Sequence, residues 1–220
     1  MTSAVHFEQV DWQWPGTYEP LFVGFDFEVE AGLCMVLGGN GSGKSTLLRL
    51  AAGLITPQRG TVHITRPAGY VFQNPDHQII MPTVEADVSF GLAELDLDPS
   101  QVRERTSGAL AAVGLGGLER RPVYALSGGQ KQRLVLAGTL AQQCRVLLLD
   151  EPTALLDPES QLELVRMVRG LVDTCGLCVV WVTHRLEELD YADRAVLIER
   201  GRLAASDTPA RIRRQLEQQC

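Results

Sequence analysis

Lysine is almost absent from this sequence, in which Lys44 and Lys131 are the only two lysines. The 220 residues also carry more acidic than basic side chains, which gives a formal net charge of −7 at neutral pH. Because the backbone of nucleic acids is itself anionic, this balance argues against a nucleic-acid partner. Lys44 lies in a glycine-rich segment, and the scarcity of lysine elsewhere directs attention to that segment.

Long apolar runs are missing as well. The longest, residues 134–141 and 177–182, fall short of the roughly 18 residues that a membrane-spanning helix needs. The first residues lack the basic and then apolar pattern of a signal peptide, and the five cysteines show no framework spacing, which suits a reducing compartment. We therefore expect a cytoplasmic protein, which another subunit would have to hold at any membrane where it works.

Short apolar runs separated by helical patterns indicate an α/β domain. Residues 34–37, 146–149 and 178–182 are wholly apolar, as strands buried in a parallel sheet are, and 25–30 alternates as a half-buried strand does. A hairpin is predicted over 194–205. Apolar spacing predicts helices over residues 44–52, 100–113, 129–141, 158–172 and 208–219. Strands that alternate with helices predict a mainly parallel sheet.

A phosphate-binding loop follows the first of these buried runs. The segment GGNGSGKS at residues 38–45 has the required spacing, between a predicted strand and a predicted helix. Its glycines let successive backbone N–H groups face one anion, Lys44 supplies a charge for the β- and γ-phosphates, and the Ser45 hydroxyl can ligate Mg²⁺. We expect the nucleotide to contact Gly38, Asn40, Gly41, Ser42, Gly43, Lys44, Ser45 and Thr46.

Two carboxylates end the apolar run at 146–149. In a parallel sheet with a phosphate-binding loop, such a strand end lies beside the phosphates. Asp150 would then hold Mg²⁺ through water, and Glu151 would polarise the attacking water. Because many strands end in acidic residues, this pair alone leaves a purely structural interpretation equally open.

A second anion-binding element is the segment LSGGQ at residues 126–130, which opens a predicted helix. One ATP does not need two such loops from one chain. We therefore infer that this loop completes a site on another subunit, and the alternative is a glycine turn that faces solvent.

In this order the motifs resemble those of the ATP-binding cassette (ABC) ATPases, over nearly the whole chain. The matching motifs are the P-loop (38–45), the Q-loop glutamine Gln73, the signature (126–130), the Walker B end Asp150-Glu151, the D-loop (154–157) and the switch histidine His184. The resemblance implies a P-loop NTPase fold, RecA-like with a mainly parallel sheet, an N-terminal antiparallel β subdomain and an inserted helical subdomain.

The resemblance also implies a domain division. Residues 1–220 would form a single ABC ATPase domain, with the nucleotide-binding core and β subdomain at approximately 1–73 and 123–220. The helical subdomain would cover approximately 74–122, a stretch between prolines that shows no convincing strand pattern.

The resemblance further implies a mechanism in which two cassettes, identical or different, pair head to tail around two ATP molecules. The resemblance implies that Ser127, Gly129 and Gln130 bind the nucleotide of the partner cassette. The catalytic residues would be Glu151, His184 and Gln73, and those around Mg²⁺ would be Ser45, Gln73 and Asp150.

An aromatic side chain near the N-terminus stacks on adenine in the family. We expect Trp14 to take this place, with Tyr18 as the second choice. Without the family, either ring is about as well explained as an ordinary surface or packing residue.

The segments FQNPDHQII (72–80) and PTVEADVSFG (82–91) resemble those of energy-coupling factor (ECF) importers for cobalt, nickel and vitamins. This subtype implies an ATPase that energises a membrane importer and is held at the cytoplasmic face by an integral membrane subunit. The apolar triplet 79–81 would contact that subunit, or would pack in the core of the insertion.

The alternative function is a soluble, non-transport ABC ATPase, for example in iron–sulfur cluster assembly or DNA repair. The acidic run 187–190 is interpreted as a solvated helix face.

Overall fold

The strands of the computed structural model, which describes residues 3–218, form two sheets. The smaller sheet is antiparallel and consists of β1 (Val5–Trp12), β2 (Phe22–Val29) and β4 (Arg59–Ile64). Its strand order is β2-β1-β4, with β1 in the centre. The alternation predicted at 25–30 lies in β2, where Phe25, Phe27 and Val29 are buried.

The larger sheet has six strands in the order β5-β6-β7-β3-β8-β9. All of its pairs are parallel except the final β8–β9 hairpin. The strands are β3 (Gly32–Leu37), β5 (Ala68–Val71), β6 (Val146–Asp150), β7 (Cys178–Val182), β8 (Arg194–Glu199) and β9 (Arg202–Asp207). The three wholly apolar runs lie in β3, β6 and β7, as predicted.

In the part of the chain that the structure describes, six α-helices accompany these sheets. They are α1 (Lys44–Ala52), α2 (Val84–Phe90), α3 (Pro99–Ala112), α4 (Gly128–Ala141), α5 (Pro158–Cys175) and α6 (Pro209–Glu217). Between β5 and α4 the chain forms α2, α3 and short turns but no strand, which is the predicted helical insertion. Within residues 3–218, none of the helices combines the length and the apolar character that crossing a bilayer requires.

The large sheet separates two apolar cores. Along β3, Leu33 and Met35 face the core that includes α4 and α5, whereas Cys34 and Val36 face the core shared with α1 and the antiparallel sheet. Because successive side chains of a strand point to opposite faces, a strand covered on both faces must be apolar throughout. This explains why the central strands read as unbroken apolar runs, and it confirms the predicted fold class.

Candidate nucleotide-binding site

The site lies at the carboxyl ends of β3, β6 and β7. The chain leaves β3 through residues 38–43 and enters α1 at Lys44. At Gly38 an added Cβ would collide with the backbone carbonyl of Ile198, so that only glycine fits at the start of the loop. The buried Ser42 hydroxyl has no hydrogen-bond partner within the described residues. The loop therefore combines free polar atoms with the positive end of α1, as a phosphate site requires.

The Lys44 side chain folds back over this loop. Its Nζ donates to the carbonyl oxygens of Gly38 at 2.8 Å and Gly39 at 3.0 Å. Burial lowers the pKa of Lys44, and the nearby carboxylates of Glu151 and Asp150 oppose that shift. The ammonium group is thus already placed above the loop that would surround the phosphates.

Oxygen atoms suited to Mg²⁺ lie where β6 ends beside α1. The Ser45 hydroxyl donates to Asp150 Oδ1 at 2.9 Å, and the Asp150 side chain is largely buried. Hydroxyl and carboxylate oxygens are the hard ligands that Mg²⁺ prefers, so these two residues fit that ion. Gln73, the third predicted metal-site residue, follows β5 and is exposed. No hydrogen bond within residues 3–218 joins its side chain to Ser45 or Asp150.

The predicted catalytic pair is already in contact. Glu151 follows β6 in a left-handed backbone conformation, with φ of 47°, and its N–H donates to the carbonyl oxygen of Val182 at 3.1 Å. Its Oε2 atom lies 3.2 Å from Nδ1 of His184, which follows β7. Positive φ is uncommon for a residue other than glycine and marks a backbone that its surroundings hold in place. The side chains of Glu151 and His184 therefore share one space beyond the ends of β6 and β7.

The signature residues form the start of α4 and bond to one another. Ser127 Oγ accepts from the Gln130 N–H at 3.2 Å, and Gln130 Oε1 accepts from the Ser127 N–H at 3.0 Å. At Gly129 an added Cβ would lie 2.9 Å from Ser160 Oγ at the start of α5. Within the described residues these partners belong to the motif or to α5, and the P-loop is not among them.

The two candidate aromatic residues have different surroundings. The Trp14 indole N–H donates to Thr46 Oγ1 at 3.3 Å, and the Arg49 guanidinium carbon lies 5.8 Å from the centroid of its ring. Trp14 is therefore held beside the first turns of α1, next to the phosphate loop. Tyr18 is fully exposed.

Two polar residues near the site escaped sequence reasoning. Tyr70, on β5, donates its hydroxyl to Asp150 Oδ2 at 2.9 Å. Burial and the charge of Asp150 raise the Tyr70 pKa, and the nearby Arg49 opposes that shift. No motif marks Tyr70 apart from its place three residues before the Q-loop glutamine.

The second is Glu188, and for this residue the interpretation of 187–190 as a solvated face is wrong, whereas Glu187 and Asp190 are exposed as expected. Glu188 is only 5% exposed, and it accepts hydrogen bonds from the hydroxyl of Thr153 and from the indole N–H of Trp181 at 3.0 Å. Burial of a carboxylate depends on such donors, which come from elsewhere in the chain and leave no trace in the acidic run itself.

Comparisons with known proteins identify the family of this chain. A model of the ABC transporter family matches residues 23–154, more than half of the chain. ABC transporter I family member 10 of Arabidopsis thaliana is 48% identical over 201 residues, which cover 90% of this chain and 74% of that protein. The energy-coupling factor transporter ATP-binding protein EcfA1 of Streptococcus pyogenes is 35% identical over 227 residues. The match covers 96% of this chain and 81% of that protein.

Among solved structures, CbiO1 from Clostridium perfringens is described as part of the ABC transporter complex CbiONQ. It superposes with a TM-score of 0.90 and 29% identity, over 99% of this chain and 93% of that one. The chain therefore belongs to the ABC transporter family, as an ATP-hydrolysing, ATP-binding subunit of the type represented by EcfA and CbiO.

Proposed function

We propose that this ATPase energises a membrane importer for transition-metal ions or vitamins. The observation that carries the proposal is the meeting of Ser45 with Asp150, and of Glu151 with His184, at neighbouring strand ends beside the P-loop. Such a constellation can bind and hydrolyse ATP. The names of EcfA1, a transporter subunit, and of CbiO1, a part of the ABC transporter complex CbiONQ, support the coupling of that hydrolysis to transport.

ATP binding is assigned to the P-loop and its flanks. The N–H groups of residues 38–46 would surround the phosphates, Lys44 would neutralise the β- and γ-phosphates, and Trp14 would stack on adenine. Ser45 and Asp150 would hold Mg²⁺, with Gln73 reaching it from the end of β5. The ion would neutralise charge that develops on the phosphate oxygens.

Hydrolysis is assigned to the pair at the ends of β6 and β7. Glu151 would accept a proton from the attacking water, a contribution typically worth about 10²–10⁴ in rate. His184 would hold Glu151 and contact the γ-phosphate, which is consistent with its 3.2 Å approach to that carboxylate. Gln73 would link this reaction to the helical insertion.

The signature motif calls for a second cassette. Ser127, Gly129 and Gln130 have their partners within α4 and α5, which supports their use on the ATP of a partner subunit in a homodimer or heterodimer.

We assign residues 1–220 to one ABC ATPase domain, with the core at approximately 1–73 and 123–220 and the helical subdomain at approximately 74–122.

The membrane subunit is expected to dock beside the Q-loop. Of the triplet 79–81, Ile79 packs against the core, whereas Ile80 is 63% exposed. Ile80 and the exposed Phe90 line one concave surface between the helical insertion and α4, which also has polar side chains in its lining. Exposed apolar side chains that share one surface are typical of a docking site, and docking there would place the protein at the cytoplasmic face of the membrane. The acidic net charge supports the absence of a nucleic-acid partner.

A soluble role in iron–sulfur assembly or DNA repair is the alternative. The relatives reported above are transporter proteins and give it no support.

The importer role is tested by changing the docking surface. Ile80→Asp should abolish co-purification of the protein with an integral membrane subunit from solubilised membranes of the source cells. The isolated variant should keep the wild-type ATPase rate and melting temperature, because Ile80 lies on the surface. Leu54→Asp, which alters an exposed leucine after α1, is the matched control and should co-purify normally.

Undiminished co-purification of the Ile80 variant would reject the docking surface. Failure of the wild-type protein to bring down any membrane subunit would count against the importer role itself. Identification of the captured subunit by mass spectrometry would then assign the class of cargo.

A further inference from the structure

The Asp150 carboxylate is bonded at both of its oxygens. Ser45 donates to Oδ1 and Tyr70 donates to Oδ2, each at 2.9 Å. The terminal torsion of an aspartate is broad, so a single hydrogen bond leaves the plane of the carboxylate free to turn. The bond from Tyr70 removes that freedom, because rotation of the carboxylate would break it.

The position of Tyr70 on β5 explains how its hydroxyl reaches this point. Tyr70 lies opposite Leu148 in the parallel pairing of β5 with β6, two residues before Asp150. Its neighbour Gly69 faces the other side of the sheet, where an added Cβ would lie 2.7 Å from Thr139 of α4. Tyr70 therefore points to the side of the sheet that packs on α1, and its long ring spans the distance to the strand end.

The ring itself is held in place by packing. Its centroid lies 4.7 Å from that of Phe72, and it packs against the core shared by α1 and the antiparallel sheet. The Tyr70 hydroxyl is thus a donor on a rigid support, and it is protonated at neutral pH as phenols are. A donor on a packed ring fixes the orientation of the Asp150 carboxylate more precisely than a donor on a mobile surface side chain would.

We propose that Tyr70 is a positioning residue for the Mg²⁺ site: its hydroxyl fixes the Asp150 carboxylate so that Oδ1 stays turned toward Ser45. Tyr70 touches neither nucleotide nor metal in this role and acts only through Asp150. The proposal rests on the assignment of Ser45 and Asp150 to the metal under the proposed function. The competing explanation is that Tyr70 only fills space, in which case phenylalanine would serve equally well.

The experiment compares nucleotide binding with and without the metal in Tyr70→Phe. Calorimetric titration with the non-hydrolysable analogue adenylyl imidodiphosphate would be run once with excess Mg²⁺ and once with EDTA. The ratio of the two affinities isolates what the metal contributes to binding. We expect that ratio to fall by about three- to tenfold, which corresponds to the net contribution of one ordinary hydrogen bond, with the affinity in EDTA unchanged.

Two controls separate positioning from packing. Tyr191→Phe removes a hydroxyl whose partner is Arg166 of α5, at 3.4 Å, and should leave the ratio and the melting temperature unchanged. In an Asp150→Asn background, Tyr70→Phe should have a much smaller effect on the ratio, because the two residues act through one contact.

An unchanged ratio in a folded Tyr70→Phe variant would overturn the proposal, and so would an equal loss of affinity with and without Mg²⁺. An undiminished effect in the Asp150→Asn background would overturn it as well. If the wild-type protein itself bound no nucleotide, the proposed function would fail instead, so the two failures are distinguishable.

Discussion

Glu188 offers a sharp test of how the site is supported, because its carboxylate is buried between two donors from different parts of the chain. Thr153 lies two residues after Glu151, and Trp181 lies three residues before His184. Both donors are buried, and the Trp181 side chain is completely so. The Glu188 carboxylate therefore ties the turn after β6 to the end of β7, immediately behind the two residues assigned to catalysis.

The variant Glu188→Met keeps the length of the side chain and removes both acceptor oxygens. Each buried donor left without a partner costs about 1–3 kcal/mol, so we expect a loss of about 3 kcal/mol in the free energy of unfolding. For a protein of about 150–250 residues, each kcal/mol lowers the melting temperature by about 2–4 °C, which gives a fall of about 6–12 °C.

Thermal unfolding followed by circular dichroism measures this shift. Glu187→Met is the matched control, since Glu187 is exposed and its loss should change stability by less than about 0.5 kcal/mol. Glu188→Gln should fall between the two, because its amide oxygen can still accept from Trp181 and its amide nitrogen can donate to the Thr153 hydroxyl. Equal melting temperatures for the two methionine variants would refute the reasoning.

Two further predictions concern the catalytic base and the second lysine. Glu151→Gln should lower ATP turnover by about 100-fold or more and trap an ATP-bound dimer, as seen by size-exclusion chromatography with ATP, and hydrolysis at the wild-type rate would contradict the assignment. Lys131 lies 2.7 Å from Asp76 and so joins α4 to the segment after Gln73. Because the Asp76 side chain is 60% exposed, Lys131→Glu should lower the melting temperature by only about 2 °C, and the swap with Asp76→Lys should restore it. A swapped protein no more stable than the single variant would show that the pair contributes nothing.

Burial explains which strands could be predicted from the sequence. The central strands β3, β6 and β7 are covered on both faces, so their composition alone distinguishes them from loops and surface elements. Helix α1 begins at Lys44 and ends at Ala52, as predicted, because a glycine flanks each end. In these elements local sequence and tertiary environment agree.

The sequence does not predict strands β1, β4 and β5, because their residue patterns differ from that of a regular buried or half-buried strand. Along β1 the pairing with β2 shifts register twice, and Gln9 adopts a φ of 48°, so the alternation of buried and exposed residues is broken. Strand β4 has no fully buried residue, and β5 is only four residues long. Each strand is fixed by its neighbours in the sheet more than by its own pattern, which is why sequence periodicity failed to predict it.

Within the site, too, the sequence predicts some residues and gives no sign of others. Lys44 and Ser45 could be predicted because one continuous loop and the first turn of the following helix surround the phosphates, and this arrangement produces a motif with fixed spacing. Residues that support a site face no such constraint. Tyr70 reaches Asp150 across 80 residues, and Thr153 reaches Glu188 across 35. Any donor that the sheet brings to the correct side could serve, so these contacts leave no local signature and appear only when the neighbouring strands are in place.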